Sequence, residues 1–171
     1  MSLSMYQVTV SPMTQLLNAL SKNLRKAKEH CAINRVDEDN VLLGRLAPDM
    51  MTLIEQVQRA SFNAVGAVAR LAQAELPEFA DDEKTFDDLQ KRIADTLSYM
   101  AGYTEEQLKG SEMREVEVQT RVALLKFDGQ DYLLQFALPQ VLFHVTTAHG
   151  IMRNQGVDIG KRDFLGKMDV K

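Results

Sequence analysis

Two of the three histidines in this chain lie five residues apart, in the stretch LPQVLFHVTTAHGIMRNQG, 138 to 156. Two imidazoles on one helix chelate a transition metal when they are three or four residues apart. Five residues turn the second by about 140°, so His144 and His149 leave a helix on different faces. One turn before His144 stands Gln140 and one turn after it Ala148, so the HxxxH of a helical metal site is absent. His144 must therefore find polar partners elsewhere. The candidates are Gln140 on its own helix and Asp49 at the head of an earlier one. A catalytic zinc usually takes three protein ligands and a water, and an amide is a poor ligand for a soft transition metal. The expectation is a small polar pocket of Asp49, Gln140 and His144 without a metal. The alternative is a divalent metal held by the same three residues.

Other chemistries have no residues to stand on. The chain carries no GxSxG, no P-loop, no GxGxxG after a strand and no CxxC. Cys31, the only cysteine, falls on an apolar seam and is expected to be a buried, inert thiol. His30, beside it near a helix end, is expected to interact with terminal carbonyls. The acid-rich stretch ELPEFADDEKTFDD reads as a solvated connection, because acids strung along a loop do not converge on one ion.

The elements that must position these residues follow from apolar spacing. Met13, Leu17, Leu20, Leu24, Ala27 and Cys31 share one face of a first helix over 11–34, with Pro12 either in its first turn or at a kink if the helix starts near Ser4. Pro48 and Asp49 read as the first residues of a second long helix, whose stripe runs from Met50 to Leu71. Thr85 is a natural N-cap for a third, carried by Phe86, Leu89, Ile93, Leu97 and Met100. The period then changes from helical to alternating in REVEVQTRVALLKFDGQ, which predicts a β-hairpin turning at 119–121. A fourth helix spans about 129–155, kinked where Pro139 clashes with the carbonyl of Gln135. Phe164 and Leu165 are expected to anchor the tail. The whole predicts one all-α domain over 1–171, a four-helix bundle with a short hairpin between helices 3 and 4.

The net charge of −4, from 20 basic and 24 acidic residues, offers no basic stripe for nucleic acid. No apolar run is long enough to span a membrane, and the first residues do not read as a secretory signal, so a cytoplasmic protein is the expectation.

At RLAPDM with QVQRAS, at FALPQVLFHVTTA and at GVDIGKRDFLG the sequence resembles an uncharacterised bacterial family grouped with the DinB/YfiT-like metalloenzymes. The resemblance covers nearly the whole chain. It implies a four-helix bundle with a short hairpin, and a nickel or zinc ion held by a histidine on helix 2 and an HxxxH pair on helix 4. Some members of the group act as thiol-dependent transferases or isomerases. His144 matches the second histidine of the pair, Gln140 stands in place of the first, and Asp49 is the nearest polar residue at the helix-2 end. Similar proteins also carry a histidine before the glycine after helix 4, where this chain has Asn154 and Gln155. Three functions follow as expectations. The first is a small-molecule pocket on a degenerate metal site, the second a divalent-metal transferase with altered ligands, and the third a homodimeric interaction protein.

Overall fold

The computed structural model describes residues 3–168, so positions 1–2 and 169–171 of the expected 1–171 domain lie outside it. Helix α1 runs over Met5–Asn34, opened by a reciprocal capping box between Ser4 and Gln7. Pro12 is therefore internal, yet all six residues of the predicted stripe are buried. A short α2 (Glu38–Leu42) leads into α3 (Leu53–Ala72). This helix begins later than Pro48 suggests. Thr52 and Glu55 close a capping box there, leaving Pro48 and Asp49 in the preceding turn. Helix α4 (Phe86–Ala101) starts at the predicted Thr85 cap.

A turn of helix α5 (Glu105–Leu108) precedes strands β1 (Glu115–Gln119) and β2 (Leu124–Asp128), which pair antiparallel. Val116 and Val118 are buried, as an isolated hairpin requires if it is to persist. The predicted fourth helix comes in three pieces: α6 (Gly129–Asp131), a wide π-helical turn (Tyr132–Ala137) and α7 (Leu138–Asn154). The π turn explains how Pro139 is accommodated. It resets the hydrogen-bond ladder just upstream, so the proline falls in the first turn of α7, where a missing N–H is tolerated. A last short helix, α8 (Lys161–Leu165), folds back on α1 through a 2.7 Å Lys26–Asp163 ion pair and a 2.7 Å bond from Gln15 to the Leu165 carbonyl.

Side-chain pairs fix the directions of the four long helices. Gln56 meets His144 and Arg70 meets Tyr132, so α3 and α7 are antiparallel. Gln58 meets Arg92, and Tyr99 bonds the carbonyl of Glu75 just past α3, so α3 and α4 are parallel. Asn23 meets His149 and His30 approaches Gly156, so α1 and α7 are parallel too. The chain thus runs up, down, down, up. Parallel α3 and α4 need a connection that returns the length of the bundle. At about 3.3 Å per residue, 73–85 can span roughly 40 Å, enough to traverse a 20-residue helix of about 30 Å. A bundle with one long crossover results.

Candidate functional site

The site grows from the seam between α3 and α7. On α7, Val141, His144, Val145 and Ala148 form the buried row; on α3 the facing row is Gln56, Ala60 and Ala64. Small side chains at 60 and 64 let the helices approach closely. That leaves room for one polar pair among apolar neighbours. His144 is 7% exposed, and its Nδ1 lies 2.7 Å from Oε1 of Gln56. The orientation of the Gln56 amide is set from its other side, where Nε2 donates to the carbonyl of Met51 at 3.3 Å. Its oxygen must therefore face the histidine, and an oxygen can only accept. Hence Nδ1 carries the proton and Nε2 presents a lone pair, which no side chain or carbonyl among the described residues engages. The Phe143 ring stands nearly perpendicular to the imidazole, with centroids 5.4 Å apart.

Burial in this apolar seam, with the positive charge of Arg59 second, pushes the His144 pKa down to about 4. The imidazole is neutral at ordinary pH. A neutral ring with a fixed N–H and an open lone pair can accept a hydrogen bond or take a proton from a bound molecule.

The residues singled out from sequence are not joined here. Asp49 is exposed in the turn before Thr52, and its carboxylate makes no hydrogen bond or ion pair among the described residues. The displaced start of α3 takes it off the helix, and Gln56 meets His144 instead. Gln140 is half-buried and makes no side-chain hydrogen bond among the described residues. With Gln135, Phe136, Pro139 and Phe143 it lines a depression of about 300 Å³ on the outer side of α7. His149 points away from the seam with α3. It is half-buried beneath the edge of Phe164, 3.5 Å from the Asn23 amide, and burial lowers its pKa. At His30 it is the Asn34 amide, not the imidazole, that reaches a carbonyl, bonding the ring at 3.1 Å and the His30 oxygen at 2.9 Å. Cys31 is buried, and desolvation raises its pKa, as an inert thiol requires.

The nickel or zinc implied by the family resemblance does not fit this donor set. Among the described residues, no three His, Cys, Asp or Glu side chains come together as a group able to hold an ion. At the seam itself the only nitrogen donor is His144, and the carbonyl oxygen of Gln56 is already engaged by its Nδ1–H.

A second polar cluster escaped the sequence reading. Arg92, on the inner face of α4, pairs with Glu83 at 2.8 Å and Asp81 at 2.9 Å, and its guanidinium lies 3.8 Å from the centre of the Phe79 ring. Gln58 bonds Glu83 at 2.8 Å. Burial pushes Glu83 up, but the bonds from Gln58 and Arg92 outweigh it and hold the carboxyl below its usual range. Asp81 also pairs with Arg59 of α3. The acidic connection is thus clasped to the bundle at one end rather than simply solvated. The available signal was a lone arginine on the buried row Leu89, Arg92, Thr96.

No helix among the described residues is long and apolar enough to cross a membrane. No curated protein matches the chain. The crystal structure of a DinB family member protein from Shewanella denitrificans, at 1.83 Å resolution, superposes with a TM-score of 0.91 at 36% identity, over 97% of this chain and 94% of that one. Residues 5–165 match the model of a domain of unknown function, DUF1993. With nearly its whole length accounted for, the chain belongs to the DUF1993 family and has the helical fold of a DinB family member.

Proposed function

We propose that this protein binds a small molecule at the α3–α7 seam through His144, on a DinB-like scaffold whose metal site has degenerated. The single observation that supports this reading is the pairing of His144 with Gln56: an imidazole held rigid and neutral, its Nε2 lone pair without a protein partner. A lone pair that no protein group engages is open to a hydrogen bond from water or from a bound molecule. The ligand chemistry that suits it is a hydrogen-bond donor, such as a hydroxyl or amide N–H. Asp49 plays no part in this version of the pocket. A divalent-metal transferase with altered ligands is less well supported, because the one side chain that bonds His144 is an amide and its other neighbours are apolar.

Two measurements test the reading. Protein purified without an affinity tag and incubated with nickel or zinc is analysed for metal, alongside His144→Ala. A fragment library is then screened by the ring-proton resonances of His144. The expected outcome is no stoichiometric metal, and fragments with a donor group that shift His144 and lose affinity in His144→Gln. Stoichiometric metal that disappears in His144→Ala would overturn the proposal in favour of the metal enzyme.

A further inference from the structure

The inner side of α7 packs on α3, while its outer side is apolar and uncovered. Leu134, Leu142 and Phe143 are 52%, 42% and 55% exposed, and Pro139 and Thr146 are exposed alongside them. At about 100° per residue, Pro139, Thr146 and Arg153 fall within about 60° of Leu142 around the helix, so these residues make one stripe. Gln135 carries the stripe back through the π turn, since it lines one depression with Pro139 and Phe143 and a second with Asp131. Near the other end the half-exposed Leu46 lies against Gly150.

What sets this stripe apart is its charge. In a chain that is 26% Asp, Glu, Lys and Arg, residues 132–152 contain none of the four. Their ionisable groups are Tyr132, His144 and His149, and burial raises the pKa of the phenol and lowers those of both imidazoles, so that none is charged at neutral pH. Charge stands only at the two ends. Asp131 is exposed at the start and Arg153 at the finish, and neither has an ion-pair partner among the described residues. Nearby charges are taken: Lys126 is held by Glu115 and Glu117, and Arg45 by Glu55.

The two end charges are placed symmetrically. Each is eleven residues from Leu142, about 16 Å along the helix. A second copy laid antiparallel on the first, about a two-fold axis at Leu142, brings Asp131 to the partner's Arg153 at both ends and stripe onto stripe between them. A parallel copy would set like charge on like. We propose that the outer face of α7 is the isologous interface of a homodimer, crossed antiparallel at Leu142 and keyed by Asp131 on the partner's Arg153. The stripe is about 33 Å long and, at a helix diameter of about 10 Å, about 330 Å² in footprint, the size of apolar patch that marks an interaction site. It is smaller than the roughly 800 Å² per partner of a standard interface, so association is expected at micromolar rather than nanomolar concentration. The proposal does not rest on the reading of His144, which faces the opposite side of the helix.

Sedimentation equilibrium of the full chain from about 1 μM to about 500 μM tests it, alongside Leu142→Glu, Asp131→Arg, Arg153→Asp and the double reversal. The native chain is expected to pass from monomer to dimer within that range. Leu142→Glu sets two carboxylates together on the axis and is expected to stay monomeric throughout. Each single reversal places like charges together at both ends and is expected to weaken association about tenfold, and the double reversal to restore it to within about threefold of native. A native chain that is monomeric at the highest concentration would overturn the proposal and leave the stripe to a different protein. A dimer that Leu142→Glu does not disturb would overturn the choice of face. Single reversals without effect, or a double reversal that does not restore association, would overturn the antiparallel register. Should Leu142→Glu not fold by circular dichroism, the charge series decides alone, since Asp131 and Arg153 are both exposed. No ligand enters these measurements, so failure of the small-molecule proposal is seen separately, in the fragment screen.

Discussion

Replacing His144 by glutamine changes how stability depends on pH, and the size of the change follows from the burial of the imidazole. In the folded chain the His144 pKa is pushed down to about 4, whereas an unfolded histidine titrates near 6.5. Between those values the unfolded state binds a proton that the folded state refuses, so stability falls as pH falls from about 6.5 towards 4. Above 6.5 the two states bind alike and the contribution is fully present. Taking both pKa values at face value, the loss between pH 7 and pH 5 is about 2 kcal/mol from this one group. Glutamine has no proton to gain, so the variant lacks this slope whatever packing it loses. Glu55, held low chiefly by the Thr52 amide, and Asp163, held low chiefly by Lys26, contribute equally in both proteins. Urea unfolding at the two pH values reads the difference directly. The native chain should lose about 2 kcal/mol more than His144→Gln on going to pH 5. Equal losses would mean that His144 is not buried as a neutral base, and the site reading would fail with it.

Arg92→Ala removes the cation from the nearly enclosed Glu83 carboxylate, and should cost about 3–5 kcal/mol by denaturant titration; a loss below about 1 kcal/mol would show that water already satisfies Glu83. Gly129→Ala should abolish folding or cost more than about 4 kcal/mol in thermal unfolding, because a Cβ there would overlap the Ser111 carbonyl oxygen, which is backbone and cannot swing away. Pro139→Ala, by contrast, should change stability by no more than about 1 kcal/mol. A mid-helix proline would cost about 3 kcal/mol, so a gain of that size on its removal would show that the π turn does not relieve it.

The helical stripes were the most legible part of the sequence, since the buried faces of α1 and α4 follow from spacing alone. The start of α3 was not, because two signals compete. Pro48–Asp49 is a plausible first turn, but Thr52 and Glu55 satisfy two backbone amides reciprocally and set the boundary five residues later, at Leu53. That shift is why Asp49 was read into the pocket and Gln56 overlooked. The clue to Gln56 was present as a polar residue in the otherwise small row with Ala60 and Ala64. Helix direction could not be read, because amphipathic spacing is the same for a helix running either way. The crossover looked solvated for the same reason: its acids acquire partners only once α4 lies parallel to α3 and brings Arg92 beneath them.

The central claim is that His144 is a neutral imidazole with its proton on Nδ1 and a free Nε2, in a seam that does not take a metal. Long-range ¹H–¹⁵N correlation of the histidine rings at pH 7, before and after equimolar zinc, tests it most directly. The account predicts a protonated Nδ1 and an unprotonated Nε2 at His144, unchanged by the metal. A His144 proton on Nε2, or a zinc-induced shift of its ring nitrogens, would contradict it.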